Sequence, residues 1–296
     1  MQSKRCGLVV IAGRPNVGKS TLLNRMIGEK ISITADKPQT TRHRILGIKT
    51  AKNNQIVFVD TPGLHLGAKK ALNRQINKTA LTALKDVDVI ILVIDALRWD
   101  DNDDFAIERI KHINTPTLAV INKVDRLKDK AMALPLIEKL DSMGIFEAIV
   151  PVSALRKLNL DTLETEITAR LPEAEFIFAP DQLTDRSARF LAAEIIREKL
   201  TRQLGQELPY ALAVEIERFK ESKGITNISA VIWVERAGQK KIVIGSGGKV
   251  LKTIGTQARK ELERMLSVKV HLQLWTRLRK GWSDSDKALR SYGYIE

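Results

Sequence analysis

Short apolar runs alternate with stretches of helical periodicity through the first half of the chain. The runs are rich in β-branched residues and are bounded by Gly, Asp or Asn. They predict strands at Leu8–Ala12, Ile56–Val59, Val89–Ile94, Thr117–Ile121 and Ile149–Val152. Strands that are apolar on both faces are typical of a parallel sheet covered by helices, and segments such as Ser20–Ile27 and Asp104–Ile113 fit those helices. The pattern therefore predicts a doubly wound α/β domain.

The periodicity lapses between Leu171 and Asp185, where the sequence reads LPEAEFIFAPDQLTD and contains two prolines. Such a stretch is typical of a connection between domains. We therefore predict a first domain over residues 1–172, a linker over 173–185 and a second domain over 186–296.

The second domain has a mixed pattern that predicts an α+β fold. A run from Lys240 to Ile244 is rich in β-branched residues and leads into a glycine turn, Gly245–Gly248. The other predicted elements are a helix at Leu191–Leu204, strands at Tyr210–Ile216 and Ile228–Val234, a helix at Val250–Leu266 and a strand at Val268–Leu274.

The 296-residue chain is strongly basic, with a formal net charge of +14 at pH 7. The densest basic region lies between Arg236 and Lys280, which contains twelve basic residues and two acidic ones. Such an excess indicates a polyanionic partner, either nucleic acid or anionic lipid, and charge alone does not choose between them.

Cysteine and histidine are sparse. The single cysteine, Cys6, excludes an intramolecular disulfide, and the four histidines are too dispersed to suggest a zinc cluster. The longest apolar runs are far shorter than the roughly 20 residues that span a bilayer. We expect a cytoplasmic protein without a membrane span or export signal.

A phosphate-binding motif follows the first predicted strand. Residues Gly13–Ser20 read GRPNVGKS, which matches GxxxxGK[ST] and opens the next predicted helix. Glycine lets the backbone amides wrap the phosphates, Lys19 neutralises their charge, and the Ser20 hydroxyl is placed for Mg²⁺. The predicted nucleotide-binding residues here are Gly13, Arg14, Pro15, Asn16, Val17, Gly18, Lys19, Ser20 and Thr21.

A second motif, DTPG, begins at Asp60 where another predicted strand ends. The carboxyl ends of parallel strands share one edge of the sheet, so the Asp60 carboxylate should face the phosphate loop as a partner of Mg²⁺. Gly63 can offer its amide to a γ-phosphate. We assign Asp60, Thr61, Pro62, Gly63 and Leu64 to the nucleotide site.

The polar stretch PQTTR lies between these two motifs. Either Thr40 or Thr41 could close over Mg²⁺ and the γ-phosphate, and the sequence does not distinguish them. The predicted metal-binding residues are Ser20, Thr40, Thr41 and Asp60.

The motif NKVD identifies the base. Its carboxylate, Asp125, can accept hydrogen bonds from both N1–H and the 2-amino group of guanine, and adenine offers no such pair of donors. Asn122 ends a predicted strand, and Lys123 should lie over the base and brace the phosphate loop. One strand later, Ser153, Ala154 and Leu155 fit a loop whose backbone contacts guanine O6. The motif order resembles the five signatures of the GTPase superfamily.

Hydrolysis should be slow. Leu64 follows DTPG, where many regulatory GTPases carry a glutamine that orients the attacking water. Catalysis must then come from positioning and charge stabilisation, for which the candidate residues are Lys19, Thr40, Thr41, Asp60 and Gly63.

The glycine turn of the second domain lies between apolar elements in basic surroundings, and this arrangement resembles the KH domain. In that domain the GxxG loop clamps the backbone of about four nucleotides. Ile242, Ile244 and Ile254 would serve either the core or a floor for the bases. The candidate RNA-binding residues are Lys240, Lys241, Ile244, Gly245, Ser246, Gly247, Gly248, Lys249, Lys252 and Arg259.

Nearly the whole chain resembles the Era family of bacterial ribosome-assembly GTPases. The stretches that carry the likeness include GRPNVGKSTLLN, KPQTTRHRI, VDTPGLH, TDRSARF, VERAGQKKIVIG, HLQLW and ALRSYGY. One departure is Gly247, at a position where relatives often carry lysine.

The resemblance implies a P-loop GTPase domain followed by a type II KH domain, acting as a monomer with GTP or GDP and Mg²⁺. It implies binding to the 3′ end of 16S ribosomal RNA, with GTP promoting the RNA-bound state during maturation of the small (30S) subunit. Related GTPases with asparagine at the position of Asn16 use K⁺, and Asn16 would either ligate K⁺ or serve only the turn of the loop.

Two other classes of function remain open at this point. A GTPase at the inner face of the cell membrane would use the basic second domain to bind anionic lipid or a protein partner, but a glycine turn between structured elements favours RNA over lipid. A metabolic enzyme would need a second catalytic constellation, and we find none in the sequence.

Overall fold

The computed structural model of the chain describes residues 3–37, 40–64, 71–205, 212–222, 224–292 and 294. The chain divides into two compact units. The first unit draws on residues 1–32, 41–68 and 76–185, and the second on residues 33–40, 69–75 and 186–296, in each case as far as these residues are described.

The first unit is a sheet of six strands with helices on both faces. Its strands are β1 (Arg5–Ala12), β2 (Ile45–Ala51), β3 (Asn54–Asp60), β4 (Val89–Asp95), β5 (Thr117–Asn122) and β6 (Ala148–Pro151). Its helices are α1 (Lys19–Ile27), α2 (Ala71–Thr82), of which residues 71–75 cluster with the second unit, α3 (Asp101–Ile110), α4 (Leu134–Asp141) and α5 (Leu160–Arg170).

The strand order β2-β3-β1-β4-β5-β6 places β1 where the chain winding reverses. Val9 pairs in parallel with Phe58 of β3 on one side and with Val89 of β4 on the other. Ligands of doubly wound sheets bind at such a switch point, beyond the carboxyl ends of the strands. All seven residues of β4 are buried, which confirms strands covered on both faces.

Strand β2 was not predicted. It pairs antiparallel with β3 at the edge of the sheet, and only its first four residues are buried. An edge strand of this kind lacks the continuous apolar run by which the buried parallel strands are recognised.

Residues 173–185, predicted as a linker, lie on the first unit. Gln55 is fully buried, and its side-chain oxygen accepts from the amides of Ile177 and Phe178 at 2.9 Å each. Its side-chain nitrogen donates to the Phe178 carbonyl at 2.8 Å. Further along, the amide of Ile48 donates to the carbonyl of Leu183. The main chain of this segment is therefore hydrogen-bonded along the sheet, by the Gln55 side chain and by the main chain of Ile48.

The second unit has a three-stranded sheet with helices on its core face. Strand β7 (Leu212–Ser222) is antiparallel to β8 (Ile225–Val234), and β8 is parallel to β9 (Lys269–Leu278). The helices are α6 (Ala188–Gln203), α7 (Ala237–Ile244), α8 (Lys249–Leu266) and α9 (Asp286–Ser291).

The β-rich run predicted at Lys240–Ile244 is wrong, because this segment is the end of helix α7. Two interactions outweigh the strand preference of its β-branched residues. The Gln239 side chain accepts from the amides of Glu235 and Arg236 at the start of the helix, and Gly245 closes its end with a φ of 74°. Val243 then packs into the core of the unit.

Helix α6 buries charged residues as well as apolar ones. Glu194, Arg197, Glu198 and Lys199 are all at most 6% exposed, and Arg197 pairs with Glu194 at 2.6 Å. Part of this burial comes from residues 33–37 and 40 of the same unit. Glu198 accepts from the amide of Thr34, for example, at 2.9 Å.

Among the described residues, no helix combines the length and apolar character needed to cross a bilayer.

Candidate functional site

The phosphate loop runs from Gly13 to Gly18 between β1 and α1. Both glycines have positive φ, 134° and 104°. A Cβ on Gly13 would lie 2.4 Å from the Val93 carbonyl, and one on Gly18 would lie 2.3 Å from the Asn122 side-chain nitrogen. The loop is therefore pressed against the ends of β4 and β5, where only glycine fits.

Lys19 lies inside this loop and is 6% exposed. Its ammonium donates to the carbonyls of Gly13 at 2.9 Å and Arg14 at 2.8 Å. Burial lowers the pKa of Lys19 to about 8, against the opposing attraction of the Asp60 carboxylate. A cation held by carbonyls alone gains strongly from an anionic ligand, so this geometry suits the phosphates of a nucleotide.

The Arg14 side chain points away from the loop interior. Its Nε donates to the buried carboxylate of Asp103 in α3 at 2.7 Å, and its Nη2 donates to the Arg98 carbonyl at 2.8 Å. Arg14 thus ties the phosphate loop to the start of α3. Sequence reasoning missed Asp103, because nothing local marks it as a partner of a residue 89 positions away.

Three of the predicted metal-binding side chains converge behind the loop. The Ser20 hydroxyl donates to Oδ2 of Asp60 at 2.9 Å, and the hydroxyls of Ser20 and Thr41 lie 2.8 Å apart. Asp60 is fully buried, and its Oδ1 has no hydrogen-bond partner within the described part of the chain. Burial raises the pKa of Asp60, while hydrogen bonds and Lys19 oppose that shift.

These residues fit Mg²⁺. The cation prefers oxygen ligands and is usually bound by one or two protein groups together with substrate phosphates. An orphaned buried carboxylate oxygen beside two hydroxyls offers such a place. No group of three or more His, Cys, Asp or Glu side chains with metal-binding geometry occurs in the described ranges. The phosphates would therefore have to complete the coordination.

The two threonines of PQTTR differ in position. Thr41 meets Ser20, whereas the Thr40 hydroxyl donates to the Lys37 carbonyl at 2.5 Å and the Thr40 carbonyl accepts from Arg197. Thr40 belongs to the second unit and Thr41 to the first. Pro38 and Gln39 of the same motif lie outside the described residues.

The DTPG turn packs against the end of β1 and the phosphate loop. Thr61 donates its hydroxyl to the Ile11 carbonyl, Pro62 is buried, and Leu64 donates its amide to the Gly13 carbonyl at 3.2 Å. The Leu64 side chain is 1% exposed and packs in the core. It therefore serves packing and has no polar group for an attacking water.

Two residues of the NKVD motif brace the phosphate loop. Asn122 donates to the Val17 carbonyl at 2.8 Å, and Lys123 donates to the Asn16 carbonyl at 2.7 Å. Lys123 also pairs with Asp95 at 2.6 Å, a carboxylate at the end of β4 that the sequence did not single out. Asn16 has a φ of 66°, which asparagine tolerates better than most residues.

Asp125 is exposed, and the buried Ser153 hydroxyl donates to its Oδ1 at 2.5 Å. Ser153 thereby fixes the carboxylate that was predicted to select guanine. The amide of Ala154 donates to the Asn122 side chain at 3.0 Å, and Leu155 is 62% exposed. Contact of this loop with guanine O6 stays a prediction.

Pro15 lies under the DTPG turn, and Thr21 is half-buried in the first turn of α1. Side chains of the predicted site bond to one another in two places, Ser20 with Thr41 and Asp60, and Ser153 with Asp125. Lys19, Asn122 and Lys123 instead bond to main-chain carbonyls of the loop.

The second unit carries a groove of about 400 Å³ behind the glycine turn. Of the predicted RNA-binding residues, Gly248, Lys252 and Arg259 line it. Sequence reasoning missed the other lining residues, which are Leu251, Gly255, Thr256, Leu272 and Leu274. The i, i+4 spacing of Gly248, at the N-cap of α8, with Lys252 and Thr256 on that helix is the signal that could have identified this face.

The glycine turn itself adopts left-handed backbone. Gly245, Gly247 and Gly248 have φ values of 74°, 57° and 75°. A Cβ on Gly245 would lie 2.4 Å from the Val250 side chain, whereas Gly247 and Gly248 have nothing within 4 Å. Gly245 is therefore needed for packing, and the other two leave the turn open for a ligand.

The other predicted RNA-binding residues surround this turn without lining the groove. Lys240, Lys241, Ser246 and Lys249 are exposed, and Ile244 is half-buried. Of the two flanking isoleucines, Ile254 is fully buried in the core and Ile242 is 51% exposed. The exposed lysines on either side of the turn in sequence thus add positive charge to this part of the surface.

Two family models match the chain. A model described as "50S ribosome-binding GTPase" matches residues 8–123, and a model of the KH domain matches residues 207–283. The motifs from the phosphate loop through Asn122 and Lys123 lie within the first match, and the glycine turn and its groove lie within the second.

Curated relatives resemble the chain over almost its full length. GTPase Era of Ectopseudomonas mendocina is 55% identical over 292 residues, covering 99% of this chain and 98% of the relative. GTPase Era of Pseudomonas aeruginosa is 54% identical over 290 residues, covering 98% and 95%.

Two solved structures have nearly the same architecture. An Aquifex aeolicus Era variant bound to GDP and AlF4− is 39% identical with a TM-score of 0.95, covering 99% of this chain and all of the other. An Era complex with MgGDPNP and nucleotides 1506–1542 of 16S ribosomal RNA is 40% identical with a TM-score of 0.96, over the same shares of the two chains.

Proposed function

The chain belongs to the Era family of GTPases, and from that membership we propose that it is a GTP-hydrolysing switch that binds the 3′ region of 16S ribosomal RNA during assembly of the small ribosomal subunit. One observation carries the proposal. The same chain combines a guanine-nucleotide site of mutually bonded motifs with a groove behind a GxxG turn.

For the nucleotide, each group on the chain has a defined task. Lys19 meets the β- and γ-phosphates, the amides of the phosphate loop wrap them, and Asp125 accepts from the guanine edge. Ser20 and Thr41 would hold Mg²⁺ with Asp60 behind them, and the cation neutralises phosphate charge when bound. Asn16 is the candidate ligand for K⁺.

We propose that hydrolysis is slow because the Leu64 side chain is buried. It places no hydrogen-bonding group where an attacking water could be oriented. The chain then relies on charge stabilisation by Lys19 and the loop amides, and a partner or a cation would supply the rest.

For the RNA, the groove offers apolar walls and basic edges. Leu251, Leu272 and Leu274 line it beside Lys252 and Arg259, a combination that suits unstacked bases and their phosphates. We place this activity in the cytoplasm, where ribosomal subunits assemble, and we propose that the protein works as a monomer.

The experiment that tests the proposal measures binding to an RNA with the 3′ region of 16S ribosomal RNA, in GDP or a non-hydrolysable GTP analogue, across a salt series. We expect tighter binding with the triphosphate and preference over a scrambled RNA. Equal binding of both RNAs, or displacement of RNA by anionic vesicles, would contradict the RNA assignment and favour a membrane surface.

A further inference from the structure

One buried serine outside every motif points into the nucleotide site. Ser32 is 1% exposed, and its hydroxyl donates to Oδ2 of Asp60 at 2.7 Å. Asp60 thus receives two hydroxyl hydrogen bonds on one oxygen, from Ser20 and from Ser32. Its other oxygen, Oδ1, keeps no partner in the ranges that the structure describes.

Ser32 is itself clamped by Asn24 of α1. The Asn24 side-chain oxygen accepts from the amides of Ile31 at 3.0 Å and Ser32 at 2.9 Å. Its side-chain nitrogen donates to the Ser32 carbonyl at 2.7 Å. One side chain therefore fixes both main-chain groups of Ser32, and the serine hydroxyl has little freedom to leave Asp60.

This clamp sets the rotation of the Asp60 carboxylate. Two donors on Oδ2 hold that oxygen toward α1 and leave Oδ1 as the unpaired one. Residues 32 and 41 flank the segment 33–40, and both bond to the Ser20–Asp60 pair: Ser32 to Asp60, Thr41 to Ser20. Groups that orient a metal's ligands and their partners commonly change metal affinity by 10- to 100-fold when removed.

We propose that Ser32, held by Asn24, is a positioning residue for Mg²⁺ that fixes the Asp60 carboxylate behind Ser20. This inference rests on the proposed function, since it concerns the cation that accompanies GTP. Within the described part of the chain, the hydrogen bonds of Ser32 go to Asn24 and Asp60 and not to the NKVD motif. Its removal should therefore weaken the response to Mg²⁺ and leave recognition of the nucleotide by the rest of the site intact.

The test measures the Mg²⁺ concentration that half-saturates tight binding of a fluorescent non-hydrolysable GTP analogue. A second readout is the affinity for GDP in EDTA. Ser32→Ala should raise the half-saturating Mg²⁺ about tenfold and leave the affinity for GDP in EDTA within about twofold of the unmodified chain.

Ser283→Ala is the matched control. Ser283 is also fully buried and donates to a carboxylate, Glu235, at 2.7 Å, but it belongs to the second unit. Both variants lose the same kind of hydrogen bond, so a general effect of destabilisation would appear in both. Only Ser32→Ala should shift the Mg²⁺ midpoint.

Asn24→Asp provides a milder variant. An aspartate keeps the acceptor for the two amides but loses the donor to the Ser32 carbonyl, and we expect a smaller shift in the same direction. Unchanged midpoints in both variants would overturn the inference, and so would an equal loss of GDP affinity in EDTA. If the unmodified chain showed no Mg²⁺-dependent GTP binding, the proposed function itself would fail.

Discussion

Gly63 lies so close to Pro15 that a Cβ on residue 63 would come within 2.6 Å of the Pro15 nitrogen. This contact brings the DTPG turn against the phosphate loop. Three Pro15 atoms lie within 3.0 Å of that Cβ position, and two of them, N and Cα, are main chain, so an added side chain would have to displace the backbone. The DTPG turn and the phosphate loop can therefore lie this close only because residue 63 is a glycine.

Gly63→Ala should weaken binding of a GTP analogue about tenfold, and binding of GDP much less, because only the triphosphate has the γ-phosphate that the Gly63 amide is expected to meet. Calorimetric titration with both nucleotides checks this. Gly238→Ala is the control, since nothing lies within 4 Å of Gly238 and alanine favours its helix. An equal loss for GDP and the GTP analogue would contradict the assigned role.

Asp125→Asn should change base preference from guanine toward xanthine. The amide presents a donor where the guanine edge also donates, and xanthine supplies a carbonyl there instead. Ser153 can still donate to the amide oxygen, so the loop should keep its place. Competition between GDP and XDP measures the preference, and we expect GDP affinity to fall by about 100-fold. Retained guanine preference would remove Asp125 from its role.

Sequence patterns predicted the parts of the fold that depend on local signals. Buried parallel strands such as β4 have continuous apolar runs, and the phosphate loop has a fixed spacing between strand and helix. Because DTPG and NKVD follow the ends of predicted parallel strands, both could be placed with the phosphate loop at one edge of the sheet.

Other features depend on partners that are distant in sequence. Helix α7 is fixed by the packing of Val243 against the core of the second unit, which together with the local cap outweighs the strand preference of its own β-branched residues. Ser32 hydrogen-bonds to Asp60, which is 28 positions away in sequence, and Asp103 hydrogen-bonds to Arg14, which is 89 positions away. The periodicity of apolar residues does not predict such long-range hydrogen bonds.

The nucleotide site should lose affinity for phosphates as the pH rises above 8. Burial lowers the pKa of Lys19 to about 8 in the nucleotide-free chain, and a bound phosphate raises that pKa again. Above pH 8 the binding of GDP must therefore be accompanied by uptake of a proton by Lys19. The affinity for GDP should then fall by up to tenfold per pH unit, until the pH reaches the raised pKa that Lys19 has beside the bound phosphate.

Calorimetry of GDP in buffers of different ionisation enthalpy checks the proton uptake between pH 7 and 8.8. Guanosine is the matched ligand, because it has the same base without phosphates. The pH dependence of guanosine binding should report any titration of the base. It should not depend on Lys19, because guanosine has no phosphate for Lys19 to bind. Identical pH profiles for GDP and guanosine would show that Lys19 does not titrate in this range.

Gly247→Asp should weaken RNA binding by about tenfold at moderate salt. Position 247 has a φ of 57°, which asparagine and aspartate tolerate, and a Cβ there meets nothing within 4 Å. Folding should survive, while the new carboxylate repels phosphates near Lys249. Gly247→Asn has nearly the same shape without the charge and should bind almost as well as the unmodified chain. Equal affinities of the two variants would place the RNA backbone elsewhere.

Gln55→Leu should release residues 173–185 from the first unit. The leucine has similar volume but leaves the amides of Ile177 and Phe178 and the carbonyl of Phe178 without their partner. Losing these three partly buried hydrogen bonds removes what holds the segment here, so it should detach more readily. Hydrogen exchange at Ile177 and Phe178 should accelerate by at least about tenfold.

Gln55→Glu separates hydrogen bonding from packing. A glutamate keeps the acceptor for both amides but sets a carboxylate against the Phe178 carbonyl, so we expect an exchange rate between those of the unmodified chain and Gln55→Leu. Exchange that stays slow in Gln55→Leu would mean that the main-chain bond from Ile48 to Leu183 and its neighbours suffices to hold the segment.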